Sequence, residues 1–426
     1  MADNSSLGAA RNAKNDEFYT QYSDIEAEMN AYIEYNPEVF KDKTLLLPCD
    51  DPEWSNFTKY FASNFTRLGI KKLISTSYAQ GAANKQPTIF ELMSPLYNAQ
   101  QHDTHGKLFT LTRDTDGNGT VDTDDIEFTG YLEGDGDFRS SEVKKLRDEA
   151  DIIITNPPFS LFREFLAWIL EADKQFVIIG NMNAITYKEV FPLLSDNKVW
   201  LGYSIHSGDR KFNVPDDYPL NAAGCGVDEN GKKFIRVKGV RWFTNIDHGK
   251  RHENLILDTM EHNLKFNKKL KKKLEKDYGK HQYPHYDNYD AIEVPFTECI
   301  PSDYDGVMGV PITFMDKYNP DQFDIVAFRK GEDGKDLVFT REREREYNRT
   351  FASLYNVDSG DDKERRRKDK WASYLRENNN HPQIEPVELF YPLKWQMSGN
   401  QRASIEKKLV YARIWIKPKR VLSNFS

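Results

Sequence analysis

Three cysteines, Cys49, Cys225 and Cys299, are scattered through 426 residues. An odd number at no metal-ligating spacing excludes both a disulfide framework and a structural zinc site, and it suits a reducing compartment. No run of about 18 apolar residues occurs, and the first residues, MADNSSLGAARNAKNDEF, contain no apolar stretch. Neither membrane spanning nor secretion is indicated, so a cytoplasmic location with no membrane partner is expected. Excess positive charge is also missing, the net charge being −8. Any grip on a polyanion must therefore come from local basic clusters, because phosphate neutralisation drives much of nucleic-acid affinity. Glycine, finally, is absent from the turn after the first apolar run, where nucleotide-binding folds normally let the backbone approach a ligand.

What is present reads as an α/β chain long enough for two domains. The runs Leu45 to Leu47, Lys72 to Ser77, Ile152 to Thr155, Phe176 to Ile179, Val199 to Tyr203 and Val240 to Ile246 have the character of buried strands, with helical stretches between the early ones. A doubly wound sheet follows, and such sheets bind ligands beyond the carboxyl ends of their strands. Ser23 and Glu26 are spaced as a capping box for a helix to about residue 35, leaving DEFYTQY as a loop that carries Tyr19 and Thr20.

The stretch DIIITNPPFS, residues 151 to 160, ends a strand on two stiff prolines, followed by Ser160 as a cap for an apolar-faced helix. Asn156 offers a carbonyl acceptor, Pro157 a rigid peptide carbonyl, and Phe159 a flat apolar face. Two acceptors converging on an exocyclic NH2 hold its hydrogens and turn the nitrogen lone pair out of conjugation, so a poor nucleophile can attack an electrophilic methyl.

In this setting Asn156, Pro157, Pro158 and Phe159 resemble motif IV of amino-methyltransferases, and the surrounding blocks are similar to the EcoRI-type adenine-N6 DNA modification methyltransferases. The blocks are NDEFYTQY (15 to 22), CDDPEWSNFTKYF (49 to 61), GDGDFRSSE (134 to 142), TNPPFSLF (155 to 162), ITYKEVF (185 to 191), YDNYDAI (286 to 292) and GVMGVPITF (306 to 314). They run collinearly, which is more specific than any one tetrapeptide.

The resemblance implies a Rossmann-like S-adenosylmethionine-dependent methyltransferase domain at 1–249, closed by an antiparallel strand. A C-terminal α+β target-recognition region at 250–426 would follow. It implies S-adenosylmethionine as cofactor, with Tyr19, Thr20, Cys49, Asp50, Asp51, Pro52, Asp137 and Phe138 around it. Asp50 or Asp51 would face the cofactor ammonium, Asn56 would take the left-handed turn position that glycine usually fills, Asp137 would accept from the adenine amine and Phe138 would pack on its ring. It implies double-stranded DNA as partner and a flipped adenine stacked on Phe159, with Phe212, in the loop GDRKFNVP, as the opposing ring. A monomer is expected, and a cognate restriction endonuclease of the same site, forming no stable complex with it, is compatible with the family. Readings of other kinds stay open: an RNA or protein-glutamine N-methyltransferase, for which the same tetrapeptide suffices, or an inactive DNA-binding homologue, for which the missing glycines argue.

Residues 261 to 280 carry eight lysines against Glu261, Glu275 and Asp277. They form either a solvated helix face or a surface for the duplex backbone. A charged insert at about 335–400, densest at 341 to 370, reads as a salt-bridged helix or a mobile arm. Residues 114 to 125, DTDGNGTVDTDD, match a calcium loop through Asp114, Asp116, Asn118, Gly119, Asp122 and Asp125, but their flanks alternate as strands, so a hairpin tip explains them equally well.

Overall fold

Four short apolar runs build the middle of one sheet. In the computed structural model, Thr44–Leu47 (β2), Lys72–Ser77 (β3), Ile152–Thr155 (β6) and Gln175–Asn181 (β7) pair side by side and parallel, in the order β3-β2-β6-β7. Every residue of β2 and β6 is buried, as strands covered on both faces must be. The structure describes residues 19–48, 50–79, 87–206, 208–214, 220, 224–286, 289–328, 404–405, 408–409 and 413–419. Cys49 and the charged insert lie outside them. The chain separates into two units, Met1–Glu253 and Asn254–Ser426.

Antiparallel strands complete the eight-stranded sheet on both sides. Beyond β3 lie Lys107–Leu111 (β4) and Glu127–Tyr131 (β5), and beyond β7 lie Val240–Thr244 (β12) and then Trp200–Leu201 (β8). The reversed β12, wedged between β7 and β8, closes a Rossmann-like domain as expected. A second sheet, in the order β1-β9-β11-β10, joins Tyr19–Thr20 (β1), Asp209–Asn213 (β9), Lys233–Lys238 (β11) and Gly226–Val227 (β10). Among the described residues of the second unit, Ala291–Glu293 (β13), Val307–Val310 (β14), Phe323–Phe328 (β15) and Ile414–Pro418 (β18) form a sheet in the order β13-β14-β18-β15. Ser404–Ile405 (β16) and Lys408–Leu409 (β17) form a separate pair. With the helices Met260–Phe266 and Lys268–Tyr278, this unit is α+β.

Several expectations need correction. Tyr19 and Thr20 are strand, not loop, because their backbone pairs with Asn213 and Phe212. The helix that follows, Tyr22–Tyr35, starts one residue before Ser23 and has Gln21 at its cap with no side-chain bond, so the capping box does not form. The strand expected to run to Tyr203 stops at Leu201, because the next residues turn to Glu28. That buried carboxylate accepts from Tyr203 N (2.8 Å), Ser204 N (2.7 Å), Ser204 Oγ (2.6 Å) and Tyr32 Oη (2.6 Å). In GVMGVPITF, Pro311 ends β14 and residues 312–317 coil into a 3₁₀ turn. Residues 114 to 125 form the tip between antiparallel β4 and β5, with no flanking helices. Their acids serve the tip itself: Asp114 accepts from Gly117 N and Gly119 N, and Asp125 from Thr115 N and Asp122 N. Asp114, Asp116 and Asp125 converge within 4.8 Å. Asn118 and Asp122 instead cap neighbouring turn residues.

The helix Phe162–Glu171 buries Phe162, Phe165, Leu166, Trp168 and Ile169. Each such large side chain contributes about 1.5–3 kcal/mol on burial. It lies so close to the sheet that β7 needs a glycine there: a Cβ on Gly180 would sit 2.4 Å from the Phe162 ring. Replacing Gly180 by Ala is therefore expected to lower stability by about 1–3 kcal/mol in urea unfolding, and an unchanged midpoint would contradict the packing described.

Candidate active site at the carboxyl edge of the central sheet

Parallel strands that share a direction bring their carboxyl ends to one edge, and β2, β3, β6 and β7 do so here. Asp50 ties three of these ends together. It is 7% exposed. Its N–H donates to Thr76 O at 2.7 Å, and its carbonyl accepts from Thr58 Oγ1 at 3.0 Å and from Ser75 Oγ. Its Oδ1 accepts from Ser55 Oγ at 2.7 Å, and its Oδ2 lies 2.6 Å from Thr155 Oγ1. The Thr155 hydroxyl also lies 2.8 Å from Pro48 O. A hydroxyl has one proton and cannot serve both acceptors. A protonated Asp50 resolves the conflict by donating to Thr155, which then donates to Pro48. In agreement, burial pushes the Asp50 pKa up to about 7, against the opposing pull of Thr155 and Ser55.

The candidate pair Asp50 and Asp51 is thus divided. The Asp50 side chain is turned inward and used in joining the strands, while Asp51 is half-buried, next to buried Pro52 and exposed Trp54. No left-handed residue occurs among the described residues of this turn. Asn56, expected to supply one, is instead the first residue of the helix Asn56–Ser63. Ser55 caps that helix through Phe57 N at 3.1 Å and Thr58 N at 3.3 Å. Hydroxyl capping replaces the usual glycine.

Two polar atoms beside the helix start point to a ligand. Thr20 Oγ1 and Glu53 Oε2 are buried with no hydrogen-bond partner among the described residues. Asn56 Nδ2 holds the Thr20 carbonyl at 2.7 Å, and Lys59 Nζ holds the Glu53 carbonyl at 2.6 Å. Burial and then the Asp51 charge raise the Glu53 pKa. A bound cation would relieve that repulsion, and a ligand hydroxyl would satisfy an orphaned oxygen. The donor set therefore fits a cofactor with a cationic amine and hydroxyls. Glu53 was not picked out from the sequence, although three acids in a glycine-free turn were a signal.

After β5, Gly136 takes φ +89°, and a Cβ there would lie 2.5 Å from Ser77 O, so the GDGDF turn presses against the end of β3. Asp137 accepts from Arg139 N at 2.8 Å and forms an ion pair with Arg139 Nη2 at 2.6 Å, which holds its carboxyl below the usual range. Phe138 is enclosed by Phe165 and Trp168, ring centroids 5.0 and 5.7 Å away, with the Arg139 guanidinium over its ring. It anchors the turn to the helix behind and has no open face for a cofactor ring, contrary to expectation.

At the end of β6, Pro157 is buried, and Asn156, Pro158 and Phe159 are half-buried. The two prolines lead into a 3₁₀ turn, Phe159–Leu161, so that Leu161 and not Ser160 precedes the helix. The Pro158 carbonyl accepts from Leu161 N at 2.9 Å, whereas no described residue donates to the Pro157 carbonyl. Phe159 rests edge-on upon Phe212, with centroids 6.3 Å apart and planes at 86°. Phe212 is 1% exposed, because its strand position directs it into the core. Perpendicular rings in contact leave no slot for a flat base, so Phe212 supports Phe159 and does not face it. Tyr19 lies on β1, and Cys49 outside the described residues.

Known proteins resemble this chain over most of its length. Residues 6–419 match the family described as adenine-specific methyltransferase EcoRI. The chain is 44% identical to the type II methyltransferase M.EcoRI of Escherichia coli over 79% of its own length and 93% of that protein. It is 36% identical to the type II methyltransferase M.MgeORF184P of Mycoplasma genitalium, over 74% of this chain and 84% of the relative. With the type II methyltransferase M.MpnI of Mycoplasma pneumoniae the identity is 33%, over 74% and 83%. No solved structure matches at a significant level.

Asp50 has a pKa near 7 against an ordinary 3.8, so the folded state favours its protonated form. Its contribution to stability is complete at low pH and is lost as pH rises from about 4 through about 7. Asp50→Asn, which keeps the acceptor for Ser55 and a donor for Thr155, is expected to remove that part of the decline. Urea unfolding of both proteins at pH 5 and pH 8 checks it, and identical pH dependences would contradict the assignment.

Proposed function

The chain belongs to the EcoRI family of adenine-specific methyltransferases, and from that membership we propose that Asn156, Pro157, Pro158 and Phe159 hold the target base. It is an adenine DNA methyltransferase of the restriction-modification type. The adenine is taken out of the duplex, since its N6 is otherwise shielded by pairing and stacking. Phe159 receives one face of the ring. The Asn156 side-chain carbonyl and the rigid Pro157 carbonyl accept from the two amine hydrogens, which localises the nitrogen lone pair and leaves it aimed outward. No strongly basic side chain is needed, because the amine proton is acidic once the nitrogen is alkylated.

The methyl donor is S-adenosylmethionine, which supplies an electrophilic methyl when bound. Asp51 and Glu53 would balance its ammonium group, and Thr20 and Pro52 would border it. The observation that carries this reading is the Pro157 carbonyl, to which none of the described residues donates, at the end of a fully buried strand and next to Asn156 and Phe159. Residues 254–426 act in target recognition, where the helix Lys268–Tyr278 buries Leu270 and Leu274 and turns most of its lysines to solvent. The enzyme works as a cytoplasmic monomer, with any cognate endonuclease acting separately on the same site. No helix among the described residues is long and apolar enough to cross a membrane.

Expression in a methylation-free bacterial host, followed by sequencing for modified bases, tests the reading. N6-methyladenine is expected at one recurring site, and the Asn156→Ala variant, folded by circular dichroism, should leave that site at least 100-fold less modified. A genome without N6-methyladenine despite soluble wild-type protein would contradict it.

A further inference from the structure

The ribbon of β9 and β11 has one apolar and one charged face. Phe212, Ile235 and Val237 turn inward, Phe212 directly beneath the clamp ring Phe159. Along the other face stand Lys211, Phe234, Arg236 and Lys238, with Asn213 opposite Phe234 and one acid, Asp209, opposite Lys238. Arg236 lies directly opposite Lys211 in the register. Like charges in that position destabilise an antiparallel pair. Lys211 stands 4.2 Å above the Phe234 ring and 3.6 Å from Asp228, whereas no described carboxylate comes within ion-pair distance of Arg236 or Lys238. A second crowding occurs beside the ribbon, where burial and the neighbouring charge of Lys232 lower the pKa of Lys59. The ribbon is fixed to the carboxyl edge, since Asn181 Nδ2, at the end of β7, donates to Lys238 O at 3.0 Å.

An acidic protein that presses cations together at the edge where it works gains from an anion there. We propose that Lys211, Arg236 and Lys238, with Phe234 between them, receive the phosphate backbone of duplex DNA flanking the nucleotide held at the clamp. This rests on the reading of the protein as a DNA methyltransferase. Single-stranded RNA is the other polyanion such a basic and aromatic face could take. The pair of strands, with three cations around a single aromatic ring, suits phosphates better than a run of stacked bases.

The test is a salt titration. Binding of a 30-base-pair duplex of arbitrary sequence is measured by fluorescence anisotropy from 50 to 300 mM salt for the wild type and for K211Q/R236Q/K238Q. The variant is expected to bind about tenfold or more weakly at 100 mM. Its plot of log affinity against log salt should be shallower by about 2 to 3, close to one for each phosphate that is no longer neutralised. The thermal midpoint should not fall, because the Lys211–Arg236 opposition is gone. Unchanged affinity and slope in a variant that still methylates would overturn the proposal, as would weakened binding of a 30-nucleotide single-stranded RNA with duplex binding intact. Should the triple variant not fold, R236Q alone is expected to reduce the slope by about 1, and no change would again overturn the proposal. Failure of the wild type to methylate any DNA would sink the enzymatic reading separately.

Discussion

One buried carboxyl holds the working edge together. Asp50 leaves β2, bonds the Thr76 carbonyl and the Ser75 hydroxyl at the end of β3, reaches Thr155 at the end of β6 and receives the hydroxyl that caps the helix Asn56–Ser63. Thr155 is the residue before Asn156, so the position of the proposed clamp is set through Asp50 and the turn that follows it. A charged carboxylate so deeply buried would be costly, and the shared proton with Thr155 is the means by which a neutral acid becomes the stable form. The result is a rigid corner, with prolines on one side and a capped helix on the other, that requires little rearrangement to present two carbonyl acceptors.

The same constraint accounts for the missing glycines. A glycine-rich turn allows close approach by removing side chains, whereas here Ser55, Thr58, Ser75 and Thr155 fold their hydroxyls inward onto Asp50 and leave Asp51, Glu53 and Trp54 on the outer side. Chemistry and support are thereby separated. Phe159 is half-buried at the edge and Phe212 props it, Asp51 is half-exposed and Asp50 turns inward. The inserted sheet contributes both the prop and, on its other face, a row of cations.

What was legible in the sequence followed from local composition. Lys72–Ser77 and Ile152–Thr155 carry enough β-branched and apolar residues to be read as strands to the residue, and the Asn-Pro-Pro-Phe stretch falls at the strand exit where it was expected. What was hidden depended on partners distant in the chain. That Phe212 is strand and not loop follows from pairing with Thr20, near the other end of the domain. That β8 stops at Leu201 follows from Glu28, whose four donors lie on the helix it belongs to and on a loop far along the chain. Which of two adjacent aspartates turns inward depends on hydroxyls from other elements, and Phe138 was misread because the helix it packs against lies after it. Sequence spacing identifies residue types suited to a task, but tertiary packing decides which of them are exposed to carry it out.

The central claim is that the corner after β6 grips the exocyclic amine of an extruded adenine. It is tested most directly by binding two duplexes that carry the methylated site, one with adenine and one with purine at the target position, in the presence of the cofactor analogue sinefungin. Wild-type protein should prefer adenine by about tenfold, the worth of roughly one good hydrogen bond, and Asn156→Ala should bind the two alike. An Asn156→Ala protein that kept the full preference would show that the amine is held elsewhere.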